Sequence, residues 1–169
     1  MKIAILGAMD EEVKLIKESL EDLQQVTYSH LVFYTGKLHS HEIVLVKCGI
    51  GKVAAAVATT MIIEKFDPDY VVNTGSAGGF DKELNIGDIV ISDVVTHHDV
   101  CSGDSFVGSD ELAAATLQKF PSMMAVEMEG AAIAQTAYLM GIPFLVIRSL
   151  SDIAGKTSTV SFQAYLEKA

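Results

Sequence analysis

Arginine is almost missing from this 169-residue chain. Arg148 is the only one, and the remaining eleven of twelve cationic side chains are lysines. Clamps on phosphate and forks that read bases are built from guanidinium groups, so neither has material here. The twelve cations face 22 acids, which leaves a formal net charge of −10. Nucleic-acid backbones and anionic membrane surfaces need a basic footprint, and both are excluded as partners. Tryptophan is absent, and the two cysteines, Cys48 and Cys101, make neither a disulfide framework nor a metal motif. No apolar run approaches the roughly 18 residues of a membrane span. The opening stretch from Met1 to Met9 is apolar only briefly, and Asp10, Glu11 and Glu12 follow where a cleavage site would need small residues. Together these absences predict a soluble protein of a reducing cytoplasm.

What is present is core material. Half the residues are hydrophobic, 20% are charged and the mean hydropathy is +0.35. One domain spanning residues 1–169 can bury a sizeable core on that composition. Short β-branched runs alternate with helical stretches. Lys2 to Gly7 reads as a buried strand, and Val13, Ile16, Leu20 and Leu23 then share one helical face. Leu31 to Leu38 and Glu42 to Cys48 flank a polar turn and read as a hairpin. Lys52 to Phe66 is helical and stops at Asp67-Pro68. Tyr70 to Thr74 reads as a strand running into a glycine-rich loop, Gly75 to Gly79, and Ile89 to Thr96 as another strand. Gly108 to Phe120 and Ala131 to Met140 read as helices, Met124 to Met128 and Phe144 to Leu150 as strands, and Ser161 to Lys168 begins a last helix. This alternation predicts a three-layer α/β/α sandwich around a mixed, largely parallel sheet.

Two places look unfinished. Val100-Cys101 runs into Ser102-Gly103-Asp104 with no crossover element, and Ala169 falls inside an amphipathic helix. The pattern predicts a missing segment between Val100 and Cys101 and further helix after Ala169.

Gly49-Ile50-Gly51-Lys52-Val53-Ala54 fits a dinucleotide-binding fingerprint. That fingerprint also wants an acid at the end of the next strand, which here reads Val72-Asn73-Thr74. The turn is better read as a tight strand-to-helix junction that lets backbone approach a ligand. Ligands of open α/β sheets bind beyond the carboxyl ends of the strands. Glu12, Ser76, Glu127, Glu129, Ser151 and Asp152 all fall at such ends. A carboxylate at a helix start is ordinary capping chemistry, so Glu12 alone says little. Several strands that each end in a carboxylate or hydroxyl say more.

Asp152 follows a run that should be buried on both faces, a setting that suits a proton-holding general acid. Capping a helix or pairing with Arg148 are its alternatives. Arg148 itself cannot sit unpaired in such a strand and needs an acidic partner. Glu127 and Glu129, two apart, would share a strand face and could accept the vicinal hydroxyls of a polyol such as ribose. A solvated edge is their alternative. His97-His98-Asp99 lacks a third ligand at useful spacing, so neither a metal nor any other cofactor is implied. Cys48 reads as packing.

Taken in order, Ile5-Leu6-Gly7-Ala8-Met9-Asp10-Glu11-Glu12, Gly49 to Ala56, Asn73 to Gly79, Ser102 to Phe106, Ala125 to Glu129 and Ser151-Asp152 span nearly the whole chain. The set resembles the 5′-methylthioadenosine/S-adenosylhomocysteine nucleosidases of the nucleoside phosphorylase-like superfamily. The resemblance implies cleavage of an N-ribosidic bond by water, with release of adenine and a 5′-thioribose product. Glu12 would activate the water and Asp152 would protonate the leaving purine. Glu129, beside Met128, would hold the ribose hydroxyls. Phe106 would stack on the base, and backbone groups of Val107 would read its edge. Ser76, Ile50 and Met9 would line the ribose side, and Ser151 would support Asp152.

Members of the family are homodimers whose partner subunit helps close the thioalkyl pocket. The family also carries a few dozen residues between the segments matching His98-Asp99 and Ser102-Gly103-Asp104, and it continues beyond Ala169. Rival readings are an aminodeoxyfutalosine-type hydrolase, a phosphorylase, and a nucleoside-binding module without catalysis. Acids cluster at Asp10-Glu11-Glu12, where a phosphorylase would need cations for its dianion.

Overall fold

The computed structural model describes residues 1–81, 83–92, 100–103, 107, 110–153 and 165. Lys2–Gly7 forms strand β1 at the centre of the fold. Its alternation sends Ala4 and Leu6 to one face of the sheet and Ile3 and Ile5 to the other. Helix α1, Asp10–Glu18, covers the second face with Val13 and Ile16. Three strands then run as a meander: β2 (Glu21–Tyr28), β3 (Leu31–Leu38) and β4 (His41–Lys47).

Strand β2 corrects the sequence reading, which extended the first helix to Leu23. Leu23 is 45% exposed and stands on an edge strand paired only with β3. A charged edge strand offers little apolar alternation, so the accidental helical spacing of Leu20 and Leu23 dominated the pattern.

Helix α2, Lys52–Phe66, ends at Asp67 in the left-handed conformation (φ 50°). After it come β5 (Tyr70–Gly79), β6 (Ile89–Ser92), β7 (Val100–Ser102), α3 (Asp110–Lys119), β8 (Ala125–Glu127), α4 (Gly130–Leu139) and β9 (Phe144–Ile153). The main line of the sheet is β2-β3-β4-β1-β5-β9-β6, parallel from β4 to β9 and antiparallel towards both edges. Helices α2 and α4 pack together on the Ala4–Leu6 face, opposite α1, which makes three layers as expected. Of the sequence-predicted strand from Ile89 to Thr96, residues 93–96 lie outside the described residues. The last predicted helix also lies outside them, apart from Tyr165.

Strand β5 positions the site. One of its edges pairs with β9 from Val71 to Gly79. The other pairs with β1 only as far as Asn73, and then with β8 from Gly78. Between these two neighbours the edge of β5 at residues 74–77 is open. The glycine-rich stretch is therefore strand and not the loop that its composition suggested: β9 holds it straight along one edge. In β9, Ser151 is the extra residue of a bulge, because Leu150 faces Ala77 and Asp152 faces Gly78. Bulges of this kind re-aim the side chains around them. In β7, Val100 and Cys101 are successive residues, opposite Ala125 and Val126 of β8.

Candidate active site

The opening in the sheet is filled by a carboxylate. Glu12, in the first turn of α1, reaches back so that its Oε2 accepts the backbone N–H groups of Ala8 (2.7 Å) and Met9 (3.1 Å). These are orphan donors at the start of the helix, so the capping role is real. Its Oε1 does something a cap does not require. It crosses to β5 and accepts the Ser76 N–H (2.8 Å) and the Ser76 hydroxyl (3.0 Å). Gly75 permits this approach, since a Cβ there would fall 2.5 Å from Glu12 Oε1 and would also meet Arg148 Nη1.

A second carboxylate enters from the opposite side. Glu129 is the residue before α4 and is only 4% exposed. Its Oε1 accepts the N–H of Gly51 at 2.8 Å. The junction at 49–51 thus presents its helix-start N–H to a carboxylate of the same chain, and positive φ at Gly49 (84°) and Gly51 (96°) shapes the turn. Burial pushes the Glu129 carboxyl above the ordinary glutamate range, and the Glu127 and Glu12 charges push the same way. The Gly51 N–H and Arg148 oppose that shift. Cys48, buried beside these acids, has its thiol pushed up to about 12, chiefly by burial. Such a thiol packs and does not attack.

Asp152 follows the β9 bulge. Ser151 Oγ lies 3.2 Å from the Ala77 carbonyl oxygen and 2.7 Å from Asp152 Oδ1. A hydroxyl has one proton to give, and a carbonyl can only accept it. The Ser151 hydroxyl can therefore donate to Asp152 Oδ1 or to the Ala77 carbonyl but not fully to both, and it ties the Asp152 carboxyl to β5. Asp152 does not pair with Arg148. That role belongs to Glu127, whose Oε2 accepts a short hydrogen bond from Arg148 Nη2.

Glu127 and Glu129 therefore do not act as twin acids on one strand face. Strand β8 ends at Glu127, and the turn that follows separates the two side chains. Glu127 also accepts the N–H groups of Glu129 (2.8 Å) and Gly130 (2.6 Å) at the start of α4, together with the Ser102 hydroxyl.

A cavity of about 140 Å³ lies among these groups, lined by Met9, Glu12, Ile50, Ser76, Met128, Glu129 and Ser151, with Ala8, Ala77, Gly78, Val126 and Glu127. Eight of the residues singled out in the sequence, Glu127 among them, thus meet around one space. Asp152 adjoins it beneath Gly78, where a Cβ would stand 3.5 Å from Asp152 Oδ2. Val107 does not line the cavity. It packs with Phe80, Ala113 and Met123 in an apolar cluster that also includes Val126. Phe106 lies outside the described residues. A larger hollow of about 480 Å³ on the α1 side shares only Glu12 and Ser76 with this one and gathers no second set of site residues.

Sequence reasoning missed Ser102, whose hydroxyl meets Glu127 and accepts the Ala131 N–H at 2.7 Å. A lone serine at the end of a three-residue strand carries no signal of that kind. The demand of Arg148 for an acid was legible, but which acid met it was not.

Comparison with known proteins places the chain in a family. The profile of the Phosphorylase superfamily matches residues 2–103 and 100–169. The 5′-methylthioadenosine/S-adenosylhomocysteine nucleosidase of Pseudoalteromonas translucida is 42% identical over 215 aligned positions, covering 100% of this chain and 92% of the relative. A nucleosidase of that kind from Colwellia psychrerythraea, solved in complex with adenine, superposes with a TM-score of 0.91 at 42% identity, over 100% of this chain and 89% of that one. The Neisseria meningitidis nucleosidase, solved with methylthio-immucillin-A, gives a TM-score of 0.89 at 36% identity, over 99% and 93%. The matching profile, the identity over the full chain and the shared fold show that the chain belongs to the Phosphorylase superfamily and, within it, to the family of 5′-methylthioadenosine/S-adenosylhomocysteine nucleosidases.

Proposed function

We propose that this chain hydrolyses the N-ribosidic bond of 5′-methylthioadenosine and S-adenosylhomocysteine, with release of adenine. The observation that carries the reading is the meeting of Glu12, Glu129 and the Ser151–Asp152 pair, from three separate parts of the sequence, around one cavity. Breaking such a bond passes through an oxocarbenium-like sugar, so assistance belongs at the leaving base and at the water. Asp152 gives its proton to the purine as it leaves, and Ser151 orients that carboxyl. Glu12 takes a proton from the attacking water. Four donors converge on Glu12, and the Ser76 hydroxyl is the one that can rotate away and yield Oε1 to the water. Glu129 receives the ribose hydroxyls, and the two carboxylates favour positive charge developing on the sugar. Met9, Ile50, Ser76 and Met128 shape the ribose side, Phe106 stacks on the base, and Val107, whose side chain packs away from the cavity, offers only backbone groups to the base edge.

The functional unit is a cytoplasmic homodimer in this reading. Ile50 at the cavity and Val53 just after it are 61% and 81% exposed, apolar surface that a second subunit would cover. Among the described residues no helix is long and apolar enough to cross a membrane. The chain is one nucleosidase domain shortened between Val100 and Cys101. Support for the internal shortening comes from an alignment of 215 positions for 169 residues, and from a superfamily profile that matches in two stretches meeting at 100–103.

The test is adenine release from 5′-methylthioadenosine by purified protein in phosphate-free buffer. Turnover without phosphate is expected. A strict need for phosphate would replace hydrolysis by phosphorolysis, and tight binding without turnover would leave a binding module.

A further inference from the structure

Glu127 lines the cavity but is spoken for by protein donors: Arg148 Nη2, the Ser102 hydroxyl and two N–H groups at the start of α4. Glu129 is placed differently. Its Oε1 is held by Gly51, while its Oε2 lies 3.8 Å from the same Arg148 Nη2 that Glu127 holds in direct contact. One buried cation, 1% exposed, thus stands between two buried carboxylates and touches only one. A charge-assisted hydrogen bond between guanidinium and carboxylate closes to about 2.8 Å, so a shift of roughly 1 Å would transfer Arg148 to Glu129.

We propose that Glu127 is a positioning residue: by engaging Arg148 it keeps the guanidinium off Glu129 and leaves Glu129 Oε2 open for the ribose hydroxyls. The inference rests on the reading of Glu129 given above and extends it to a residue that touches no reacting atom. Asn73 Oδ1 and the Ser76 carbonyl also hold the guanidinium, but both are neutral acceptors. Only a carboxylate competes on equal terms with Glu129 for the cation. The restraint on the backbone is part of the same device, since Glu127 fixes the Glu129 N–H itself.

The groups that face Glu129 are Glu12 from α1, Cys48 and the Gly51 N–H from the turn before α2, Glu127 from β8 and Arg148 from β9. Removing the Glu127 charge takes away one group that raises the Glu129 carboxyl and frees one that lowers it. Both changes favour an ionised Glu129 captured by Arg148.

The experiment compares the wild type with Glu127→Gln and the double variant Glu127→Gln/Arg148→Met. First, the Glu129 carboxyl is titrated in apo protein by carbon-13 NMR, with its signal assigned by loss in Glu129→Gln. The midpoint should fall in Glu127→Gln and return towards the wild-type value in the double variant. A midpoint unchanged in Glu127→Gln overturns the proposal. Second, calorimetry measures binding of adenosine and 2′,3′-dideoxyadenosine. The wild type should prefer adenosine at least tenfold, and Glu127→Gln should lose most of that preference while still binding the dideoxynucleoside. An equal preference in both proteins overturns the proposal.

A wild type with no preference removes Glu129 from the ribose, a failure of the functional reading that leaves the titration to decide the role of Glu127. Simple destabilisation would lower Tm without moving midpoint or preference. If Glu127→Gln does not fold, Glu127→Asp is read instead. Its shorter reach should produce the same changes to a smaller extent, and wild-type behaviour in both measurements would overturn the proposal.

Discussion

The two halves of β5 show how one strand serves two purposes. From Tyr70 to Asn73 it is paired on both edges, with Val71 fully buried in the main core and Asn73 donating its amide to the Leu6 carbonyl. From Gly75 to Gly79 it is built of small residues, and one edge is open until β8 arrives. The first half gains stability by filling space. The second half leaves space, and the open N–H of Ser76 binds a carboxylate that a neighbouring strand would have displaced. A β-strand normally avoids an unpaired edge, and here that edge borders the proposed site.

That contrast can be broken by substitution, and the largest effects belong to the groups around the opening. Asp152→Asn should fold with an unchanged Tm and lose about 10²–10⁴-fold in turnover, the range for removal of a general acid, as measured by adenine release. Glu12→Gln should lose turnover on the same scale. It should also lose stability, because its amide nitrogen cannot accept the donors that converge on the carboxylate. Near-normal activity in either variant would remove that residue from the reaction.

Gly75→Ala and Val71→Ala test the two halves of β5 directly. The added methyl at Gly75 meets Arg148 and Glu12, so turnover should fall about a hundredfold, the cost of misplacing catalytic groups by roughly an ångström. Val71→Ala leaves a void in the core. It should cost about 2 kcal/mol in denaturant unfolding with kcat unchanged in the folded fraction. If Val71→Ala reduced kcat as Gly75→Ala does, the two halves would not be functionally distinct.

A smaller effect is expected from pH. Burial raises the Glu129 carboxyl above its usual range, so the folded protein holds that proton more tightly than the unfolded chain does. Stability from this group is present at pH below the ordinary glutamate range and is lost as pH rises through the raised value. Glu129→Gln removes the penalty, and its amide oxygen can still accept the Gly51 N–H. Its Tm should exceed that of the wild type near neutral pH, with the gain shrinking on acidification, while adenosine affinity falls. A Tm gain independent of pH would contradict this origin. The smallest effect belongs to Asp10, two residues before Glu12, whose 2.7 Å ion pair with Lys47 is exposed. Asp10→Asn should change stability by less than about 1 kcal/mol and leave turnover alone.

Much of this was legible in the sequence. The α2 boundaries, the β3–β4 hairpin and the strands β1 and β9 follow from periodicity and from the Asp67-Pro68 stop. The acids of the site were visible because they fall at strand ends. Two things were not. The edge strand β2 lacks an apolar rhythm of its own, and its place is set by β3 alone. The glycine-rich half of β5 is extended because β9 runs beside it, a partner about seventy residues away.

The sequence by itself determined the layered α/β class and which acids stand near the strand ends, since these depend on composition and on local spacing. Only the tertiary structure decided what each acid does. Glu127 and Glu129 are two residues apart, chemically identical and both at the cavity wall, yet one is engaged by a buried arginine and the other is held by the Gly51 N–H. Their roles are assigned by groups from β9, β7 and the turn before α2, and distances between such groups are set by packing, which no local pattern encodes.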